Sequence, residues 1–132
     1  MFALGARAAA DCPSEDRDLD TLAALEELRR RATLDPFAGA CGDNHGWRAT
    51  WDAELARLSG DETLDLWVRA AAEWDRITRP HEAAYCRWRG AQAAQRDGHG
   101  KAAARLLKRA ATDAREHVPL HRAIAATAGG VR

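Results

Sequence analysis

Bulky side chains return at every third or fourth position through the middle of this chain: Trp47, Trp51, Leu55 and Leu58, then Leu64, Trp67, Ala71, Trp74 and Ile77. That spacing places each series on one stripe of a helix and conflicts with the strict alternation of a half-buried strand. The breaks between stripes are short, Ser59-Gly60 and Pro80, so successive helices must double back on one another. Alanine supplies nearly a quarter of the 132 residues, while Val, Ile and Thr are few. Such a composition favours helix and nearly excludes a sheet. The fold class expected is all-α: stacked antiparallel helical hairpins, a tetratricopeptide-like right-handed array of six to seven helices.

The first predicted helix lies near Phe2 to Ala10. The second runs from about Asp18 to Ala32, with Leu19, Leu22, Leu25 and Leu28 near one stripe and Arg29, Arg30 and Arg31 in its last turn, where they complement the helix dipole. Thr33 to Gly46 contains Pro36, Gly39, Gly42 and Gly46 and reads as one long irregular loop. The third helix is expected from Trp47, and Asp61 is the expected cap of the fourth. The fifth, about His81 to Arg96, carries Ala84, Tyr85, Trp88, Ala91 and Gln95 on one face. The sixth, Lys101 to about Glu116, shows the clearest stripe in Ala103, Leu106, Leu107, Ala110 and Ala114. Pro119 fits the first turn of a short seventh helix. The length allows one domain: a helix pair over 1–32, the loop 33–46, hairpins over 47–79 and 80–117, and a terminal helix and tail over 118–132.

Twenty basic residues balance twenty acidic ones, so no overall field draws the chain to nucleic acid or to an anionic membrane. Charge is uneven locally, with eight basic residues against two acidic ones from Arg79 to Arg109. Cys12, Cys41 and Cys86 form an odd, widely spaced set that suits reduced thiols, and no stretch approaches the roughly 20 apolar residues of a membrane span. The location expected is cytoplasmic. Cys41 and His45, with Cys12 and Cys86, would supply a zinc set only without the close cysteine pair such sites use, so no metal is expected. Nor do the histidines sit beside a candidate nucleophile, and the chain reads as a non-enzyme without cofactor.

The stretch from the fifth to the sixth helix resembles a tetratricopeptide hairpin, which repeats at about 34 residues. Gly90 or Ala91 stands at the small position of its first helix, and Ala103, Leu107 and Ala110 stand at the small, bulky and small positions of its second. A longer match covers Leu66 to Leu120, including L-W-V-R-A-A-A-E-W-D-R, E-A-A-Y-C-R-W-R and A-A-A-R-L-L-K-R-A. It resembles the helical-repeat region of the large LuxR-family transcriptional regulators of high-GC bacteria. The resemblance implies a middle segment, lying in that family between a nucleotide-binding ATPase and a DNA-reading helix-turn-helix. This chain has no phosphate-binding G-x-x-x-x-G-K-[ST], because Gln95 and Ala102 flank Gly100-Lys101 at the required places. Direct DNA binding is not expected either, and the uncapped start of the first helix suggests a stack that continued upstream.

The function expected is therefore a non-catalytic repeat scaffold, a fragment or truncated relative of such a regulator, serving protein–protein interaction or inducer sensing. Its partners would be another protein, a second copy of the chain, or a small inducer. Five tryptophans at helical spacing are mostly core, but Trp and Arg also anchor interfaces, so Trp47, Trp51, Arg87 and Arg89 are the candidate partner-binding residues. The competing expectation is a free-standing helical protein that self-associates.

Overall fold

The computed structural model describes residues 7, 8, 11, 19–34 and 43–130. Among them the chain forms six helices and no strand: α1 (Leu19–Leu34), α2 (Asp43–Ser59), α3 (Leu64–Arg76), α4 (Pro80–Arg96), α5 (Gly100–Asp113) and α6 (Val118–Gly129). From α2 onward each helix packs on the next, and α6 also reaches back to α4. Turns of three or four residues join them, which forces neighbours to run antiparallel. No helix of the described residues is long and apolar enough to cross a membrane.

Three of the turns close in the same way. The backbone N–H groups of Asp61, Arg79 and His99 each reach back five residues, to the carbonyls of Ala56, Trp74 and Ala94 at 2.8, 3.0 and 2.7 Å. This arrangement satisfies carbonyls that a helix end leaves open, and it needs one residue at positive φ just before the donor. Gly60 (φ 80°) and Gly98 (φ 79°) meet that need without strain. Thr78 (φ 58°) fills the same place between α3 and α4, an uncommon conformation for a β-branched residue.

Helix α4 is the axis of the packing. Ala83, Ala84, Tyr85, Cys86, Arg87, Gly90, Ala91, Ala93 and Ala94 are all buried, so it is covered on several sides rather than on one stripe. Small residues make this possible, because they let α3 and α5 approach closely. A Cβ added at Gly90 would lie 3.0 Å from that of Trp67. Trp67 and Trp74 of α3 are fully buried bulk against this small-residue helix, while Trp47 and Trp88 are only partly buried. Arg87 is 6% exposed and ties three helices together, ion-pairing with Asp75 of α3 and with Asp113 of α5, the latter at 2.9 Å.

The expected irregular segment 33–46 is helical at both ends. Residues 33 and 34 belong to α1, and α2 begins at Asp43, four residues before Trp47; 35–42 lie outside the described residues, as does most of the expected first helix, of which 7 and 8 are helical. Gly46, two residues after Asn44, has the chemistry of a turn in the sequence but lies inside α2. Its actual role is a close approach: a Cβ there would sit 2.7–2.8 Å from the indole of Trp74. The cap of α3 is Thr63, whose side chain accepts from the Leu66 N–H, rather than Asp61. Pro80 does not merely end the preceding helix; it opens α4 at a position where its missing N–H costs nothing. α5 stops at Asp113, and α6 is longer than the short helix expected.

Intrinsic propensity favours alanine over glycine inside a helix by about 1 kcal/mol. At Gly46 the fixed Trp74 ring reverses the sign, so Gly46→Ala is expected to destabilise the chain by about 1–3 kcal/mol in urea denaturation. Gly100→Ala, where nothing lies within 4 Å of the added Cβ, is expected to be neutral or stabilising. Equal effects of the two substitutions would contradict the close approach.

Candidate functional site

On α2, Thr50 and Glu54 share a face with Trp47, three and seven positions further along. That face meets α3 and α4. Thr50 is buried there and its hydroxyl makes three contacts: it donates to the Gly46 carbonyl at 2.8 Å, accepts from Trp74 Nε1 at 2.9 Å, and lies 3.6 Å from Cys86 Sγ. Since its only proton goes to Gly46, the thiol is the donor in the third. Burial, in first place, pushes the Cys86 thiol up to about 12, so it stays protonated and available for that role.

Glu54 is fully buried, yet it lies between two donors. Tyr85 OH of α4 donates to its Oε1, and Arg57 Nε donates to its Oε2 at 2.9 Å. A carboxyl group taken out of water needs such partners to offset its lost hydration. Burial and the adjacent Glu54 together push the Tyr85 hydroxyl well above its ordinary range, so it too keeps its proton. One turn on, Arg89 donates through Nε to Tyr85 OH at 3.0 Å, and its guanidinium stacks 4.4 Å from the Trp88 ring.

Of these side chains, Thr50, Glu54, Trp74, Tyr85, Cys86 and Trp88 line one cavity of about 460 Å3, together with Trp47. Its walls are aromatic: Trp47 stands edge-on to Trp74 with ring centres 5.0 Å apart, and Tyr85 stands at 64° to Trp88 at 5.8 Å. Trp88 Nε1 is held by Thr127 of α6 at 2.8 Å. Thr50, Glu54 and Glu82 supply polar groups, and Arg7 enters from the amino-terminal part with its guanidinium 3.7 Å over the Tyr85 ring. At the mouth, the rings of His81, in the first turn of α4, and His117, the cap of α6, lie 4.2 Å apart. His117 accepts the Leu120 N–H at 3.2 Å through Nδ1.

Of the expected partner-binding residues, Trp47 lines the cavity and Arg89 braces its Tyr85–Trp88 wall from behind. Trp51 is 5% exposed and packs with Leu55, Trp47 and Leu58. Arg87 turns to another side of α4, where its donors are engaged by Asp75 and Asp113. The four therefore do not share one surface. Glu54, Thr50, Tyr85 and Arg7 were not singled out from the sequence, although Thr50 and Glu54 repeat at helical spacing on the Trp47 face. No group of three or more His, Cys, Asp or Glu suited to a metal occurs among the described residues; Cys12 and Cys41 lie outside them.

Desolvation lowers the His81 pKa from 6.5, with His117 adding to the effect. Above pH 6.5 the ring is neutral in both folded and unfolded chains; below it the unfolded chain takes up the proton first, so stability falls as the pH drops. The urea midpoint is expected to decline from pH 7.5 to 5.5 more steeply in the wild type than in His81→Gln. Identical pH profiles would remove His81 as the cause.

Comparison with protein-family models, with curated proteins and with solved structures finds no match for this chain.

Proposed function

We propose that the chain is a non-catalytic helical-repeat scaffold that senses a small organic ligand, an inducer-binding segment related to the repeat region of LuxR-family transcriptional regulators. The observation that carries the ligand reading is the aromatic cavity, with about 460 Å3 of space bounded by Trp47, Trp74, Tyr85 and Trp88. Volume and lining both match sites for small molecules, which combine apolar walls with a few placed polar groups. The link to LuxR-family regulators rests on the residues from Leu66 to Leu120 alone.

The chemistry of the lining supports binding over turnover. Cys86 and Tyr85, the cavity's thiol and phenol, are both held in the protonated form by burial, whereas a nucleophile must be activated by a base or a lowered pKa. Glu54 is occupied by Tyr85 and Arg57. Signalling has a route as well, because the cavity is bounded by α2, α3, α4 and α6 and by Arg7. A ligand between them would change how α6 sits on the α2–α4 core.

Ligand-observed NMR with a mixed set of small sugars, amines, guanidines, acids and aromatics is expected to find binders. Trp47→Ala is expected to weaken their binding about tenfold, the loss of one aromatic wall, while leaving helix content unchanged. A set with no binder, or binders indifferent to Trp47→Ala, would overturn the reading.

A further inference from the structure

We infer that the groove between α3 and α5, on another side of α4 from the aromatic cavity, is a docking site for an acidic amphipathic helix of a partner protein. The basic surplus between Arg79 and Arg109 is not spread evenly over the fold. Its members on α4 are engaged: Arg87 with Asp75 and Asp113, Arg89 with Tyr85 and Gln92, and Arg96 with Glu62 at 2.5 Å. Arg79 is engaged as well. The remainder gathers on α5, which carries four basic residues and, at its last position, one acidic residue. Among the described residues no carboxylate pairs with Lys101 or Arg105. Arg109 is 64% exposed and reaches Asp75 and Asp113 only at 3.4 and 3.9 Å, with Arg87 already between them.

Arg105 and Arg109, one turn apart, form the α5 rim of the groove, and Lys101 extends the row by a further turn. Behind that rim the groove is apolar. Leu64, Val68 and Ala72 follow one another along α3 at four-residue spacing, and Ala102 and Leu106 face them from α5. Val68 is 45% exposed, so this strip is open to an occupant. On the flank of α3, Asp65 and Arg69 stand one turn apart and offset one another in charge. The groove is therefore one-sided: an apolar strip with an uncompensated positive edge along α5. Its complement is a segment with an apolar stripe and carboxylates along one flank, since opposite charge at the rim fixes register and speeds encounter.

The walls also decide the conformation of the occupant. Both are helices whose backbone groups are bonded within the helix, so an extended segment would lose water from its own N–H and C=O groups without gaining partners. A helix brings those groups already paired and lays its apolar stripe into the groove. α3 and α5, each antiparallel to α4, run in the same direction, and the stretch from Leu64 to Asp75 spans about 16 Å, the length of three helical turns. Ala72 and Ala102 on the two walls leave room for the incoming axis to approach closely.

The test is fluorescence anisotropy with a fluorescein-labelled peptide of two tandem copies of Glu-Leu-Ala-Glu-Leu-Leu-Ala, which sets leucines on one stripe and glutamates on one flank. Two controls replace every Glu by Gln, or one central Ala by Pro to break the helix. The acidic peptide is expected to bind the wild-type chain at least about tenfold more tightly than either control at low ionic strength, with the advantage over the Gln form shrinking as salt is added. Arg105→Glu and Val68→Glu are each expected to weaken it at least about tenfold, and because both positions are exposed, circular dichroism is expected to show unchanged helix content. Equal binding of the Glu and Gln forms, or of the Pro form, would overturn the inference. So would binding indifferent to both substitutions, or no binding at all. Sedimentation of the chain alone is expected to show no association that Val68→Glu removes; such an association would give the groove to a second copy and overturn the assignment to a partner protein. The aromatic cavity is no part of this surface, so either reading can fail without the other.

Discussion

The indole of Trp74 is the point on which the arrangement turns. Its ring receives the bare backbone of Gly46, its N–H is received by Thr50, and its side meets the edge of Trp47. All three partners lie on one face of α2, so a single side chain of α3 sets both the distance and the register of the α2–α3 contact. Through Thr50 the same constraint passes to Cys86 and thus to α4. If α2 sat one side chain further out, Trp47 would no longer form a wall, and the cavity would lose its α2 side.

A chain with balanced charge can still contain a strongly organised electrostatic site. Here the balance is achieved locally: Glu54 is buried because Tyr85 and Arg57 reach it, and Arg57 and Arg89 are in turn held by Asp11. On the other side of α4, Arg87 is held between Asp75 and Asp113. Arg87 and Arg89 of α4 thus divide by side. Arg87 fastens α4 to α3 and α5, and Arg89 stiffens the aromatic wall.

Much of the fold was legible in the sequence because it depends on local regularities. The spacing of Trp47, Trp51 and Leu55, and of Leu64, Trp67 and Trp74, is a property of each helix alone, as are the stops at Gly60 and Gly98. What was not legible depends on meetings between distant residues. Gly46 looks like a turn residue until Trp74, far along the chain, is placed against it. Nothing local marks Arg87 for its ion pairs with Asp75 and Asp113 on two other helices. Glu54 looks like one more solvated acid of a helix until Tyr85 and Arg57 converge on it. Thr50 and Glu54 left a faint trace, as polar residues at helical spacing on the Trp47 face, whereas nothing local marks Arg7 for its place over Tyr85.

The docking of α2 against Trp74 underlies the rest of the structure, and proton NMR reports on that contact directly. An α-proton held against an indole face is shifted strongly by the ring current, and it shows cross-relaxation to the ring protons. The prediction is a Gly46 α-proton displaced far from its ordinary position, with nuclear Overhauser contacts to the Trp74 ring and a Trp74 indole N–H protected from exchange by Thr50. A Gly46 resonance at its unstructured position, without contacts to Trp74, would contradict the docking of α2 and the cavity built upon it.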